Sequence, residues 1–291
     1  MVPLKRPGEA RGRVGVLLVL PALAVFVVFF VIPLVNVLIT SFHNYSQTTG
    51  IGTRWTLENY SKFLGDPYYL GILWRTMRIS VVTTVVTLLL GYPLAMILMS
   101  TRGRTRNYLV LFLLSPLLIS MVIRAYGWVI ILGNRGPVAD LLGFVGIHPP
   151  SMLYNEFAVE LGMVHVFLAY MVLPILGSLE SIDPSVVRAA QSLGAGRWRT
   201  FRSILLPLSL PGISAGSVMV FSLTASSFVT PMILGGPRVP VMSDLAYDQT
   251  AVLLNWPYGS AVGYVLIAVT LALLLLYNRI VGGRGGAVPV R

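Results

Sequence analysis

Cysteine is absent from the 291 residues, and there are only three histidines. The first absence excludes disulfides, thiolate nucleophiles and cysteine-held metal or iron–sulfur centres. His43, His148 and His165 are far apart and show no ligand spacing, so no metal site is expected. Charge is scarce too: 11% of residues are Asp, Glu, Lys or Arg, against about 25% in a soluble domain. No glycine-rich loop runs into Lys and Ser/Thr, so this chain should not bind ATP by that route. His-Glu-x-x-His and Gly-x-Ser-x-Gly are missing as well, so nothing supports a membrane-embedded enzyme.

What is present is apolar length. Hydrophobic residues make up 56% of the chain and the mean hydropathy is +0.81. Uncharged runs cover Val14 to Phe42, Ile79 to Ser100, Tyr108 to about Leu132 (interrupted by Arg124), Leu161 to Leu179, Ser203 to Pro237 and Gln249 to Asn278. Each holds the ~20 residues that cross a ~30 Å hydrocarbon core. The runs are continuously apolar rather than alternating, so helices are expected and not a barrel. The reading is an all-α polytopic membrane protein with six transmembrane helices, the first bent at Pro21 or Pro33. A signal peptide fits the start less well, because the run is too long and no small-residue cleavage site ends it. Residues 43–78 and 133–160 are mixed connections, the second carrying Asp140, Glu156 and Glu160.

Lys and Arg divide unevenly between the two sides these spans create. The N-terminal tail, the 101–107 loop, the loop between spans four and five and the C-terminal tail hold fourteen, with three acids. The opposite segments hold seven, with the other seven acids. One side therefore carries the whole net charge of +11, and the positive-inside rule makes it cytoplasmic, with both termini inside. The charge is accounted for by topology and the lipid surface, so no nucleic-acid partner is implied.

One loop is more than a connector. Asp183-Pro184 provides an N-cap and a proline at the first helical position. Ser185 to Leu193 reads as a short helix, and Gly194 stands where it stops. Arg197, Arg199 and Arg202 follow, interleaved with Trp198 and Phe201, and Ile204-Leu205-Leu206-Pro207 leads into span five. Aromatics and Arg are the residue types that anchor docking surfaces.

The spacing Ala189-Ala190, Gly194, Ile204, Leu206-Pro207 resembles the EAA loop of ABC importer permeases, with Arg188 where that family usually has Glu. Gly91-Tyr92-Pro93-Leu94-Ala95, Ile123 to Trp128, Ser227 to Pro231 with Leu234-Gly235-Gly236, and Asn255 to Gly259 resemble the spermidine/putrescine (PotB-type) permease family. The resemblance implies a type I importer (MetI-like) permease fold over 65–280, with a coupling loop at 180–207. Outside it lie a basic tail at 1–13, a first span with an external segment at 14–64, and a flexible tail at 281–291. It also implies partners: a second, PotC-like permease subunit, a cytoplasmic ATPase dimer that binds the ATP and Mg, and a periplasmic or lipid-tethered solute-binding protein. Transport would work by alternating access, with Arg188, Ala189, Ala190, Gly194, Trp198, Phe201, Ile204, Leu206 and Pro207 coupling this chain to the ATPase. This chain itself would hold no cofactor and do no bond chemistry.

Other residues have plainer explanations to set beside functional ones. Arg124 lies about 25 Å up a helix from Asn107. It reads as a snorkelling interfacial Arg beside Tyr126 and Trp128, or as a gate residue facing Asp140 or Glu156. Ser226, Ser227 and Thr230 serve helix packing or face a substrate path, and Pro231 can break the helix there. Asp244, Asp248 and Trp256 are ordinary exposed residues or a place for a cationic amine. Gly212/Gly216 and Gly259/Gly263 are small-residue seams for close helix packing. Arg188 cannot make the pair that Glu makes there: either the position is tolerant or the partner has changed sign, with Glu180 or Asp183 able to accept it. The cargo expected is a polyamine or a related small amine-bearing solute. The alternatives are an amino-acid derivative or aminophosphonate, or a stand-alone secondary transporter.

Overall fold

The computed structural model describes residues 19–146 and 151–282. The basic tail 1–13, the start of the first span at 14–18, His148 and residues 283–291 lie outside them. Four helices are each long and apolar enough to cross a membrane: α1 (Val19–Ser41), α3 (Pro67–Ser100), α7 (Glu156–Glu180) and α12 (Trp256 onward). Two bent pairs bring the number to six when each pair is one span.

The chain divides into two compact units, one built from residues up to 65 together with 246–264, the other from 66–245 and 265 onward. In the first unit, α1 is uncharged and lined with exposed apolar side chains, as expected for a helix solvated by lipid. A π-helical turn over Val27–Val31 precedes Pro33. Proline has no N–H to give the carbonyl four residues back, and a locally widened turn accommodates the missing bond. An antiparallel hairpin, β1 (His43–Ser46) with β2 (Gly50–Trp55), follows within a segment the sequence marked only as mixed and polar. Asn59 of α2 (Glu58–Gly65) pins the entry to this hairpin, donating from Nδ2 to the Ser41 and His43 carbonyls, each at 2.9 Å.

The second unit is organised around α7. Helix α3 begins twelve residues before the expected Ile79, because Asp66 caps it by accepting from the Tyr68 amide at 2.8 Å and Pro67 takes the first position. At 34 residues it is about 51 Å long, well beyond a ~30 Å core. Its early turns can therefore carry Arg75 and Arg78, and both bind Glu156, Arg75 through Nε at 3.2 Å. Helix α7 likewise starts five residues before the expected Leu161, capped by Asn155, so Glu156 and Glu160 are helical rather than loop residues.

The third apolar run is divided between α4 (Gly103–Leu118) and α5 (Met121–Leu132). α4 diverges by 101° from the stretch Met121–Phe144, which ends in α6 (Pro137–Phe144). The height assigned to Arg124 is measured along an unbroken helix from Asn107, so the break removes it. Span five is also bent, by 62°, between α9 (Arg197–Leu208) and α10 (Leu210–Ala225). The sixth span, α12, continues through Gly282, past the expected start of the tail.

The core of this unit is the seam of α7 with α3 and α10, filled by buried Leu98, Met171, Val172, Ile175, Ile213 and Val220. Small residues let the backbones approach. A Cβ on Gly212 would lie 2.4 Å from the Pro174 carbonyl oxygen, and one on Gly216 would lie 2.9 Å from Met171 Sδ. The second glycine pair differs from its expectation. Gly259 packs on Thr250 and the Ala246 carbonyl, but a Cβ on Gly263 would meet nothing within 4 Å.

Charge bias puts Gly103 on the cytoplasmic side and Gly146 outside. A reporter fused after each position should be inactive for periplasmic activity at the first and active at the second. The reverse pattern would overturn the orientation.

Candidate functional site: an exposed loop and a cavity between two helix breaks

α8 (Pro184–Ser192) starts where Asp183 Oδ1 accepts from the Ser185 amide at 2.7 Å. It ends in a Schellman-type closure: the Ala195 amide reaches the Ala190 carbonyl at 3.0 Å, and Gly194 sits at φ +80°. Asp183 is fully exposed, and its hydrogen bonds to Ser185 hold its carboxyl below the usual range, with a smaller contribution from Arg188. A depressed carboxyl stabilises the cap above the ordinary carboxylate range and stops doing so as the pH falls through its own value. Amide exchange at Ser185 should therefore lose protection below about pH 4, and Asp183→Asn should keep it. Equal loss in both proteins would count against the cap.

The loop presents apolar side chains to water. Leu193 is 88% exposed and Trp198 71%, with Val186, Arg188, Arg197, Arg199 and Arg202 also exposed. Ala189 is exposed and Ala190 half-buried. Trp198 stacks on Phe201 with ring centroids 5.3 Å apart, and Phe201 meets the Tyr92 ring edge-on at 5.5 Å. Phe201 and Leu206 pack against the core, Ile204 is half-buried, and Pro207 is exposed. The helix continues through Leu206-Pro207. It runs to Leu208 and turns at Ser209, whose buried hydroxyl bonds Tyr92 Oη at 2.9 Å. Tyr92 of α3 thus contacts both arms of the bend. In the sequence Tyr92 carries only the Gly91 to Ala95 resemblance and no role at the loop, and Ser209 looks like an ordinary span residue.

Glu180 is not the acceptor for Arg188. It takes Arg106, at the start of α4, at 2.5 Å. Among the described residues no carboxylate lies within 4 Å of Arg188; Asp183 acts on it only weakly, through space.

A second feature lies at the other end of α10. Beyond Ala225 the helix stops; a π-helical turn resumes at Pro231–Gly235. Ser226, Ser227 and Thr230 line a cavity of about 430 Å³ together with Ile119, Arg124 and Tyr170. Arg124 faces neither Asp140 nor Glu156, the latter being held by Arg75 and Arg78. Its Nη1 donates instead to the Pro116 carbonyl and, at 3.5 Å, to the Ile119 carbonyl, both freed where α4 ends. Asp244 is apart from this cavity: it accepts from the Val241 amide at 3.3 Å at the start of α11 (Met242–Tyr247). Asp248 and Trp256 are exposed and belong to the first unit. Among the described residues no group of three or more His, Asp or Glu could hold a metal.

Long apolar helices, two of the spans broken, and an exposed loop continuous with one of them define a polytopic α-helical membrane protein. The family model described as "Binding-protein-dependent transport system inner membrane component" matches residues 12–282. The spermidine/putrescine transport system permease protein PotB of Haemophilus influenzae is 32% identical over 257 residues, covering 87% of this chain and 90% of that one. A bacterial alginate ABC transporter, crystallised with an alginate pentasaccharide-bound periplasmic protein, contains a chain that superposes with a TM-score of 0.80 at 19% identity, covering 96% of this chain and 97% of that one. The MetNI methionine transporter contains one with a TM-score of 0.57 at 19% identity, over 75% of this chain and 99% of that one. The chain belongs to the binding-protein-dependent transport system inner membrane component family, as a PotB-type ABC importer permease subunit with the type I, MetI-like fold. It is a non-catalytic, multi-pass inner-membrane part of a multi-subunit transporter.

Proposed function

We propose that this chain forms one half of the translocation path for a small amine-bearing solute. Its partners are a second, PotC-like permease subunit, a cytoplasmic ATPase dimer carrying ATP and Mg, and a periplasmic or lipid-tethered solute-binding protein. The observation that carries the reading is the exposed loop from Asp183 to Leu208. Its apolar and Arg side chains need a covering partner, and it is continuous with span five through the bend at Ser209. A push on Trp198 passes through Phe201 and Tyr92 to Ser209, so ATPase closure becomes a tilt of α10 and alternates access to the path. Both termini are cytoplasmic in this reading.

Polyamines are the cargo that the similarity to spermidine/putrescine permeases supports. A solute bearing an acid beside its amine, such as an amino-acid derivative or an aminophosphonate, is the second reading, and Arg124 in the cavity favours it. ATPase stimulation of the reconstituted complex decides, with the binding protein offered a panel of polyamines, amino acids and phosphonates. A response to polyamines alone supports the first cargo. Uptake by this chain with no ATPase present would overturn the importer reading.

A further inference from the structure

We propose that the Arg124 cavity is a binding subsite for the anionic group of the transported solute, a carboxylate or phosphonate. The inference takes the second cargo reading above, a solute with an acid beside its amine, over polyamines, and rests on the importer reading only in taking the cavity to lie on the solute's path.

Two independent breaks in membrane-crossing helices meet at this cavity. Ile119 belongs to the break between α4 and α5, and Ser226 and Ser227 to the break after α10. Non-helical backbone at membrane depth is tolerated only where protein buries it or a water-filled cavity solvates it. Broken spans converging on one polar cavity are also how transporter folds expose donors and charge to a solute. The hydroxyls of Ser226, Ser227, Thr230 and Tyr170 give the lining its polar share, on walls made by Phe167, Val166 and Leu223. A few polar groups on a mostly apolar wall is the usual composition of a small-molecule site.

The sign of the charge selects the ligand. Arg124 is the sole charged residue among those lining the cavity, and among the described residues no carboxylate approaches it within 4 Å. Its hydrogen bonds to the Pro116 and Ile119 carbonyls use a single nitrogen, Nη1. A guanidinium has five N–H donors in a planar fork suited to carboxylate or phosphate oxygens. A cation in a span is costly unless something balances it, and two neutral carbonyls supply no counter-charge. A fully cationic solute would be repelled here. An anion would complete the site, with the Ser227 and Thr230 hydroxyls donating to its remaining oxygens, while Ser226 already donates to the Ser222 carbonyl at 3.0 Å.

The test uses the full chain in nanodiscs of uncharged phosphatidylcholine, with radiolabelled 4-aminobutyrate, 2-aminoethylphosphonate and putrescine measured by scintillation proximity. The two acids should bind saturably and putrescine should not. Arg124→Gln should weaken the acids about tenfold or more, the loss expected for a charge-assisted contact, while Arg124→Lys keeps part of the affinity. Because Arg124 also holds the end of α4, Thr230→Val provides a variant that removes only a cavity hydroxyl and should weaken both acids without altering the melting temperature. Putrescine binding equal to that of the acids, no binding of any probe, or acid binding unchanged in both Arg124→Gln and Thr230→Val would overturn the proposal. Loss of acid binding in nanodiscs of phosphatidylglycerol would assign the site to a lipid phosphate and overturn its role in cargo binding. No ATPase or binding protein takes part, so these outcomes are independent of whether the importer reading holds.

Discussion

Gly212→Ala should destabilise the purified protein by about 3 kcal/mol, the upper end of the range for overpacking a close seam. The added Cβ would sit 2.4 Å from the Pro174 carbonyl oxygen, 2.6 Å from Ser178 Cβ and 2.9 Å from Ile175 Cα. None of these is the far end of a flexible side chain, so rotamer changes cannot relieve the clash. α10 must retreat from α7, and the retreat also opens the neighbouring contact of Gly216 with Met171. Met171 is wedged from the other side by Gly91 of α3, where a Cβ would come within 3.1 Å of its Cγ, so all three core helices feel the shift. Small residues at helix seams matter in lipid because packing, not hydrophobicity, holds the spans together. Gly263→Ala is the control: the same change in α12, with nothing within 4 Å of the new methyl, should be neutral or stabilise by about 1 kcal/mol through helix propensity. Reversible unfolding in detergent compares the two. Matching unfolding curves would mean that the seam is not close-packed in solution.

That contrast also measures what the sequence could reveal. Both glycine pairs have the same spacing, and spacing alone cannot say which faces a helix. The long apolar runs placed the spans because hydropathy is additive along a chain. Capping chemistry placed α8 to within a residue, because Asp183, Pro184 and Gly194 act locally. Charge misled where it was read as a boundary. Arg75 and Arg78 look in the sequence like the end of a polar connection, but Glu156 bridges the pair and α3 runs through them. The break between α4 and α5 was hidden for a related reason. Ile119 and Ser120 are unremarkable residues, and the group that stabilises the freed Pro116 and Ile119 carbonyls is Arg124, a residue on the next helix. In the candidate site, Ser226, Ser227 and Thr230 were legible as polar residues near Pro231. Their meeting with Arg124 and Tyr170 is a product of two bends that no local pattern records.

Gly194 allows the coupling reading to be tested without disturbing any contact. A Cβ there would meet nothing within 4 Å, so a substitution acts through the backbone alone. At φ +80° an L-residue pays about 1–2 kcal/mol, and a β-branched one more, whereas Asn tolerates this region. Val and Asn should therefore separate by conformation rather than by size. Gly194→Val should release the closure made by the Ala195 amide on Ala190 and change the angle at which α8 leaves α9. Because ~1.4 kcal/mol is a factor of ten, uptake and stimulated ATPase should fall about tenfold in Gly194→Val and stay within about twofold in Gly194→Asn. Both variants should purify with the same complement of subunits, since Gly194 touches none of the core. If the two variants behaved alike, or if Val transported normally in an intact complex, the angle between these helices would not be what the ATPase drives. The loop would then serve docking only, and the path from Trp198 through Phe201 and Tyr92 to Ser209 would have to be set in motion from elsewhere.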